Sequence, residues 1–412
     1  MRHGALLSLA LVGLAAQGAA AQVADPFAPQ TRWSSAPSAG AAWMPASVEF
    51  AAGGELVFAA GALASPSWLV FSTPLPADAS GHVQPLCAAP AAPGTLSNML
   101  VRCGPRANEL YALAQIPDPN AAHRRTEVAR FDALAGGTLA PAWTHDLGLR
   151  VNGGAKLAVS DDGARVVALI HDAATQQLRL EWLDGASGAL LQRVDWNAGT
   201  LRQLAASADV SSVAVVAGLE LFVFDSAGAL RHHEGLTAST QALALSGDGA
   251  TLVVGAPGLV RVLAWNSSAF VERAREVAAA AELPVRCAIS ADGATWAAGW
   301  WNASTGRDVR LELRGAPNDG LLWQTLQHAS SPAPQNYPEA VCNARDGRRA
   351  AFGVWGSSDA QPEVVLVDRA LGGAVATLDL SGSVLALALD PSGTRLAIGM
   401  KHAHANQFAT TG

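Results

Sequence analysis

Lysine is almost missing. Lys156 and Lys401 are the only two in 412 residues, so positive charge rests almost wholly on arginine. The arginines are scattered and the formal net charge is −7, which leaves no basic footprint for nucleic acid. No block of like charge marks a disordered tail. There is no G-x-S-x-G elbow, no H-E-x-x-H helix and no phosphate-binding glycine loop. There is no D-x-[DN]-x-[DN]-G calcium loop either; "SGDG" and "SADG" lack the alternating acids. Beyond residue 21 no stretch approaches the eighteen or so uninterrupted apolar residues that a spanning helix needs. These absences exclude several enzyme classes, a nucleic-acid footprint and a membrane span after the N-terminal segment.

What is present begins with that segment. Met1-Arg2-His3 is a short basic start, and "ALLSLALVGLAA" (Ala5 to Ala16) is an apolar run of signal-peptide length. Small residues at Ala19 and Ala21 offer an A-x-A cleavage site, so residues 1–21 are expected to be a removed leader and the mature chain secreted or periplasmic. The alternative is an anchor that stays uncleaved. Removing the leader takes away Arg2 and no acid, so the net charge goes from −7 to −8. Half the residues are hydrophobic, much of that alanine, and the Ala/Gly/Arg bias reads as a GC-rich coding background.

The chain restates one phrase. "LALSGDGATLVVGAPGLVRVLAW" (Leu243 to Trp265) reads as strand, turn, strand, turn, strand: alternating apolar residues, then "GDG", an apolar run, "GAPG", and a third strand. Copies begin at Leu157, Cys287, Val341 and Leu387, with weaker ones at Val48, Glu109 and Ser212. The second-strand anchors Leu56, Leu110, Val166, Val213, Leu252, Trp296, Ala350 and Leu396 stand 39 to 56 residues apart. Third strands end in an aspartate followed shortly by glycine, as in "EWLDGASG", "FVFDSAG" and "VLVDRALGG". The aspartate can bond its own turn, and the glycine can take the left-handed conformation that reverses the chain. A period of about 40–50 residues with several short strands per unit predicts propeller blades.

The fold expected is all-β: a single β-propeller of eight blades, each of four antiparallel strands, with seven as the alternative. Residues 22–46 are an N-terminal segment and residues 47–412 the propeller. The last unit, from Val384, has little chain left. "ANQFATTG" (405–412) is expected as its third strand and "TRWSS" (31–35) as its fourth, closing the ring by pairing the two ends. "LALSGDGATLVVGAPGLVRVL" and "AISADGATWAAGW" resemble FG-GAP repeats, and "VVLVDRALGGAVATLDLSGSVLALALDPSGTRLAIG" resembles the YVTN and WD40-like repeats of lactonase-type propellers. The resemblance covers most of residues 47–400. It implies a blade architecture and specifies no activity.

Candidate site residues follow from loop length. Units four and five have minimal second-to-third loops, "AGLE" and "GAPG". Longer ones occur at 117–125, 171–177, 300–308, 355–363 and 401–407. Loops on a rigid scaffold are where function usually resides. The expectation is an asymmetric cleft touching Trp300, Trp301, Asn302 and Trp355, with His171, Asp172, His402 and His404 beside it. The tryptophans either stack on a ligand or fold inward to seal blade packing. His402 and His404, two apart on a strand, share a face and could share a Zn²⁺ with His171, Asp172 or Asp359, but H-x-H alone is a weak pattern and no metal or cofactor is expected. His232 and His233 are adjacent and point to opposite faces. "NDGLLWQT" (318–325) resembles a tryptophan-docking motif of quinoprotein propellers.

Four cysteines suit an exported chain. Cys87 and Cys103 are close in sequence. Cys287 and Cys342 occupy nearly equivalent first-strand positions in consecutive units, one residue out of phase, and are expected within disulfide reach; the alternative is four buried thiols. The function these features favour is an exported binding or scaffold propeller for a protein, peptide or carbohydrate. Its rival is a lactonase-type or quinoprotein-like enzyme with carboxylates, histidines or arginines from several blades converging in the channel.

Overall fold

The computed structural model describes the strands up to Asp132 and then residues 141–401 and 404, apart from 152–153, 317, 330–335, 357–360 and 402–403. The described residues contain no helix, and their strands pair into eight four-stranded antiparallel sheets. Within units two to seven each sheet is built from four strands consecutive in sequence; the third unit is Lys156–Val159, Arg165–His171, Leu178–Asp184 and Leu190–Trp196.

The first-to-second turn has one recurrent chemistry. In Ser160-Asp161-Asp162-Gly163 the serine hydroxyl donates to Asp162 at 2.6 Å, and the same carboxylate accepts the Ala164 N–H at 2.9 Å. The serine oxygen also accepts the Arg165 N–H, five residues on, at 2.9 Å. Ser207/Asp209, Ser246/Asp248 and Ser290/Asp292 repeat the arrangement. The fourth residue is left-handed, with φ near +67° at Gly163 and Gly293, which glycine adopts without cost. Adjacent turns are joined by backbone hydrogen bonds: Asp161 N–H to Ala208 O, Ala208 N–H to Gly247 O, Asp248 N–H to Ala291 O, and Ala291 N–H to Arg345 O, all 2.7–3.0 Å.

Burial records each strand's place. Second strands are covered on both faces, as in Ser212–Ala217, where every residue is buried. Fourth strands alternate exposed and half-buried, as in Leu190–Trp196. Apolar clusters sit between consecutive sheets, for example Leu180, Trp182, Val213, Val215 and Phe222 between the third and fourth units. Units approach so closely that some second strands need glycine. A Cβ on Gly299 would stand 2.7 Å from Pro338 Cβ, and one on Gly353 would stand 2.5 Å from Val384 Cγ1.

First strands lie side by side in chain order from Leu100–Cys103 to Val384–Leu389, and Pro45–Phe50 lies beside both of those. The eighth sheet differs from expectation. Its third strand is Leu9–Gly13, running antiparallel to Arg395–Gly399, and its outermost is Gln30–Thr31. An apolar five-residue run suits a place beside Arg395–Met400, which is almost wholly buried. Residues 405–412 lie outside the described residues. The same run falls within the segment expected as a leader.

Candidate functional site

Antiparallel alternation gives the molecule two faces. The Ser-x-Asp-Gly turns and the third-to-fourth turns share one, the turn face. The second-to-third loops and the links between units share the other, the loop face. First strands run from loop face to turn face and line a central channel. A cavity of about 410 Å³ in it is lined by Leu157, Val159, Leu204, Ala206, Leu245, Ala288, Ile289 and Val341, with Asp161, Ser207, Cys342 and Asn343. Asp161 is the one charged side chain among the described residues of that lining. At the turn face it meets Arg345 of the seventh unit, Nη2–Oδ2 2.6 Å. Among the described residues no group of three metal-ligating side chains forms.

Polar side chains from four units converge at the loop-side mouth. Gln203 Nε2 (fourth unit) donates to the Gln241 carbonyl (fifth) at 2.9 Å. Tyr337 Oη (seventh) donates to Gln241 Oε1 at 3.3 Å, across 96 residues of sequence. Arg286 (sixth) binds Glu339 (seventh) through both its carbonyl, 2.8 Å, and its carboxylate. Tyr337 lies between two tryptophans, with ring centroids 5.5 Å from Trp301 and 5.0 Å from Trp355. All three rings are half-buried. Burial, first, holds the Tyr337 hydroxyl above its usual range. Below them is a closed polar network: the Asn336 carboxamide oxygen accepts the Tyr337 and Gly356 N–H groups at 3.0 Å, and its nitrogen donates to Gln327.

The expected tryptophans therefore divide. Trp301 and Trp355 join this row, whereas Trp300 is buried, donating its indole N–H to Glu312 Oε1 at 2.6 Å beneath the Arg310 guanidinium. Burial pushes the Glu312 carboxyl up, against the pull of Arg310 and Arg314. Trp300 is thus a packing residue, a correction that follows from its strand being covered by sheets on both sides. Asn302 caps its own loop, accepting the Ser304 N–H at 3.0 Å. Asp172 is also a structural group: it accepts the Ala174 and Thr175 N–H groups and pairs with Arg179 at 2.7 Å. Burial pushes its carboxyl up, but those donors outweigh it and hold the value below the ordinary range. His171 contacts its own loop at the Gln176 carbonyl.

His404 is buried against Glu363, Nε2–Oε1 3.1 Å, and Glu363 also accepts the Leu380 N–H. His402 and Asp359 lie outside the described residues, as do the second-to-third loops of the second, seventh and eighth units in large part, and with them much of the expected asymmetric cleft. His232 and His233 do point apart, to Phe270 and to Phe222. Trp323 of the suspected docking motif packs on Phe352 of the next unit.

Cys287 and Cys342 are free thiols, which corrects the expected pairing. Their one-residue phase difference does put them on opposite sides of their strands, but turned away from each other. Cys287 faces back toward Val253 and Val260 of the fifth unit, and Cys342 faces forward toward Val384 and Leu396 of the eighth. Burial pushes both thiols up to about 12. Cys87 lies in the outer strand of the first sheet and Cys103 in the inner strand of the second; their side chains are outside the described residues.

Sequence reasoning missed Gln203, Gln241, Arg286, Tyr337 and Glu339. The one available signal was Tyr337, one of two tyrosines, set beside the proline-bearing link "SPAPQNYP".

Repeated four-stranded antiparallel sheets around a channel define a β-propeller, similar to those of WD40 proteins. Sqt1 of Chaetomium thermophilum, solved bound to the N-terminus of the ribosomal protein L10, superposes with TM-score 0.59 at 14% identity, over 88% of this chain and 98% of its own. The C-terminal WD40 domain of Sif2 superposes with TM-score 0.54 at 12% identity, over 87% of this chain and 94% of its own. No protein-family model matches the sequence. No curated protein matches it.

Proposed function

We propose that this protein is a binding propeller for an extended protein segment, engaged at the loop-side mouth of the channel. The observation that carries the reading is the convergence of Gln203, Gln241, Arg286, Tyr337 and Glu339 from four units, flanked by Trp301 and Trp355. Amide and hydroxyl groups there can exchange hydrogen bonds with a peptide backbone, and half-buried aromatics supply apolar contact at low entropic cost. Sqt1, bound to the N-terminus of a ribosomal protein, supports a peptide partner on this fold. A sugar-stacking site is less favoured because Trp300 is buried. The enzyme reading is less favoured because the channel is lined mainly by small aliphatic side chains.

We further propose eight units in a closed ring, supported by the neighbour relations of the first strands, none of which lies in residues 1–21, and export, supported by the basic-apolar-small start of the chain; a removed leader takes Leu9–Gly13 with it and leaves that place beside Arg395–Gly399 to another segment. Cell fractionation with mass spectrometry of the N-terminus tests export; a chain that starts at Met1 and stays in the cytoplasmic fraction refutes it. The binding reading is tested by selecting a random peptide library on the immobilised protein. Tyr337→Ala and Gln241→Ala should weaken the selected peptides by tenfold or more, on the order expected for an interface hot spot. Leu326→Ser, on the exposed outer strand of the sixth unit, should leave them unchanged. Binding indifferent to Tyr337 and Gln241 refutes the site.

A further inference from the structure

Beside the mouth, between the fifth and sixth units, lies a small socket of about 50 Å³. Its walls are Gln241, Ala256, Pro257, Leu283, Pro284 and Val285, closed by Ser239 and Thr240, and no charged residue lines it. Gln241 belongs to both features: its carbonyl accepts from Gln203, its side chain from Tyr337, and it forms one wall of the socket. Leu283, in the socket wall, stands opposite Trp301 in the strand register. The Thr240 hydroxyl is engaged internally, with the Ala242 backbone.

Resting on the peptide-binding reading above, we propose that this socket fixes the specificity of the site by taking one small aliphatic side chain, alanine, valine or proline, of the bound segment. Three observations define that chemistry. The volume holds only a few methyl-sized groups, since one water already occupies about 30 Å³ of liquid. Two wall residues are prolines, whose rings cannot rotate aside for a larger group. An uncharged wall offers a charged side chain no partner, and burying it unpaired is costly. The backbone of the segment on either side then reaches the Gln203–Gln241–Tyr337 belt. Filling a cavity of this size, at about 24 cal/mol per Å³, corresponds to roughly eightfold in affinity.

Peptides selected on the wild-type protein are aligned, and the tightest is titrated by tryptophan fluorescence. The alignment should show one position confined to Ala, Val or Pro. Replacing that residue with glycine should weaken binding to wild type by about eightfold. Ala256→Leu, which fills the socket, should weaken the parent peptide similarly and abolish its advantage over the glycine version. If Ala256→Leu lowers the folded fraction, the parent-against-glycine comparison on wild type decides alone. Peptides that depend on Tyr337 but show no such position, or no response to the glycine change, overturn the socket and leave the mouth standing. Binding independent of both Tyr337 and the socket overturns both, as does a library that yields no binder.

Discussion

Replacing Gly353 with alanine should destabilise the protein, although alanine usually stabilises a strand position relative to glycine. Gly353 lies in the second strand of the seventh unit, outside the left-handed region, so its backbone accepts a Cβ. The new methyl would stand 2.5 Å from Val384 Cγ1 and 2.9 Å from Leu387 Cδ1. Ordinary carbon contacts are about 3.5–4.0 Å, so a neighbour has to retreat by roughly 1 Å. Val384 is fully buried and has nowhere to go. Overpacking of this kind costs about 1–3 kcal/mol. Against it stands about 0.4–1 kcal/mol from the reduced freedom of the unfolded chain. The net expectation is a loss of about 1–2 kcal/mol, read from the urea midpoint of tryptophan fluorescence at unchanged m-value. Gly373→Ala is the control: no atom lies within 4 Å of the point its methyl would occupy, so it should be neutral or stabilising. Val384→Ala combined with Gly353→Ala should cost at least ~1 kcal/mol less than the sum of the two single changes, because one removes the obstacle to the other. A Gly353→Ala protein as stable as wild type, or strictly additive costs, would refute the close approach of the seventh and eighth units.

Two further outcomes are expected. The Cys287 and Cys342 thiols are held at about 12 against 9.0 for a free thiol, so above pH 9 the unfolded chain releases protons that the folded protein keeps. Stability is therefore full below pH 9 and falls between 9 and about 12, by up to ~1.4 kcal/mol per pH unit for each thiol; the urea midpoint of a Cys287→Ala/Cys342→Ala protein should fall less steeply over that range, and equal slopes would count against buried thiols. Arg273 clamps the buried Asp319 through two hydrogen bonds of 2.7 and 2.9 Å, while the Trp296 indole donates to the same carboxylate at 3.1 Å. Arg273→Ala leaves that carboxylate short of partners and should cost about 2 kcal/mol, discounted for the partial exposure of the arginine, with Asp319→Asn restoring part of it in the double variant.

The hairpins were legible because their chemistry is local. Ser246, Asp248 and Gly249 form their turn with atoms at most five residues apart, and the aspartates before the third-to-fourth turns, such as Asp184 and Asp225, also bond within their own turns. Exposure in the second strands was not legible. Alternation separates core from solvent only when one face is wet, and here both faces are covered. Trp296 and Trp300 therefore point alike into the fifth unit, and nothing local distinguishes Trp300 from the half-exposed Trp301. The cysteines show the same limit: spacing gives opposite sides of a strand, and only the order of neighbouring sheets says which side faces which unit. The mouth could not be assembled from sequence because Gln203, Gln241 and Tyr337, up to 134 residues apart, become neighbours only through the side-by-side packing of units four to seven.

The joints between adjacent hairpin turns run from peptide N–H to peptide C=O, through Asp161, Ala208, Gly247, Asp248, Ala291 and Arg345. A joint of that kind does not specify the side chain it passes through, and the six residues are two acids, two alanines, a glycine and an arginine. Selection can therefore rewrite this position in every unit without loosening the lateral seam, and one unit need not resemble the next. Such a molecule can change its sequence while its shape stays put.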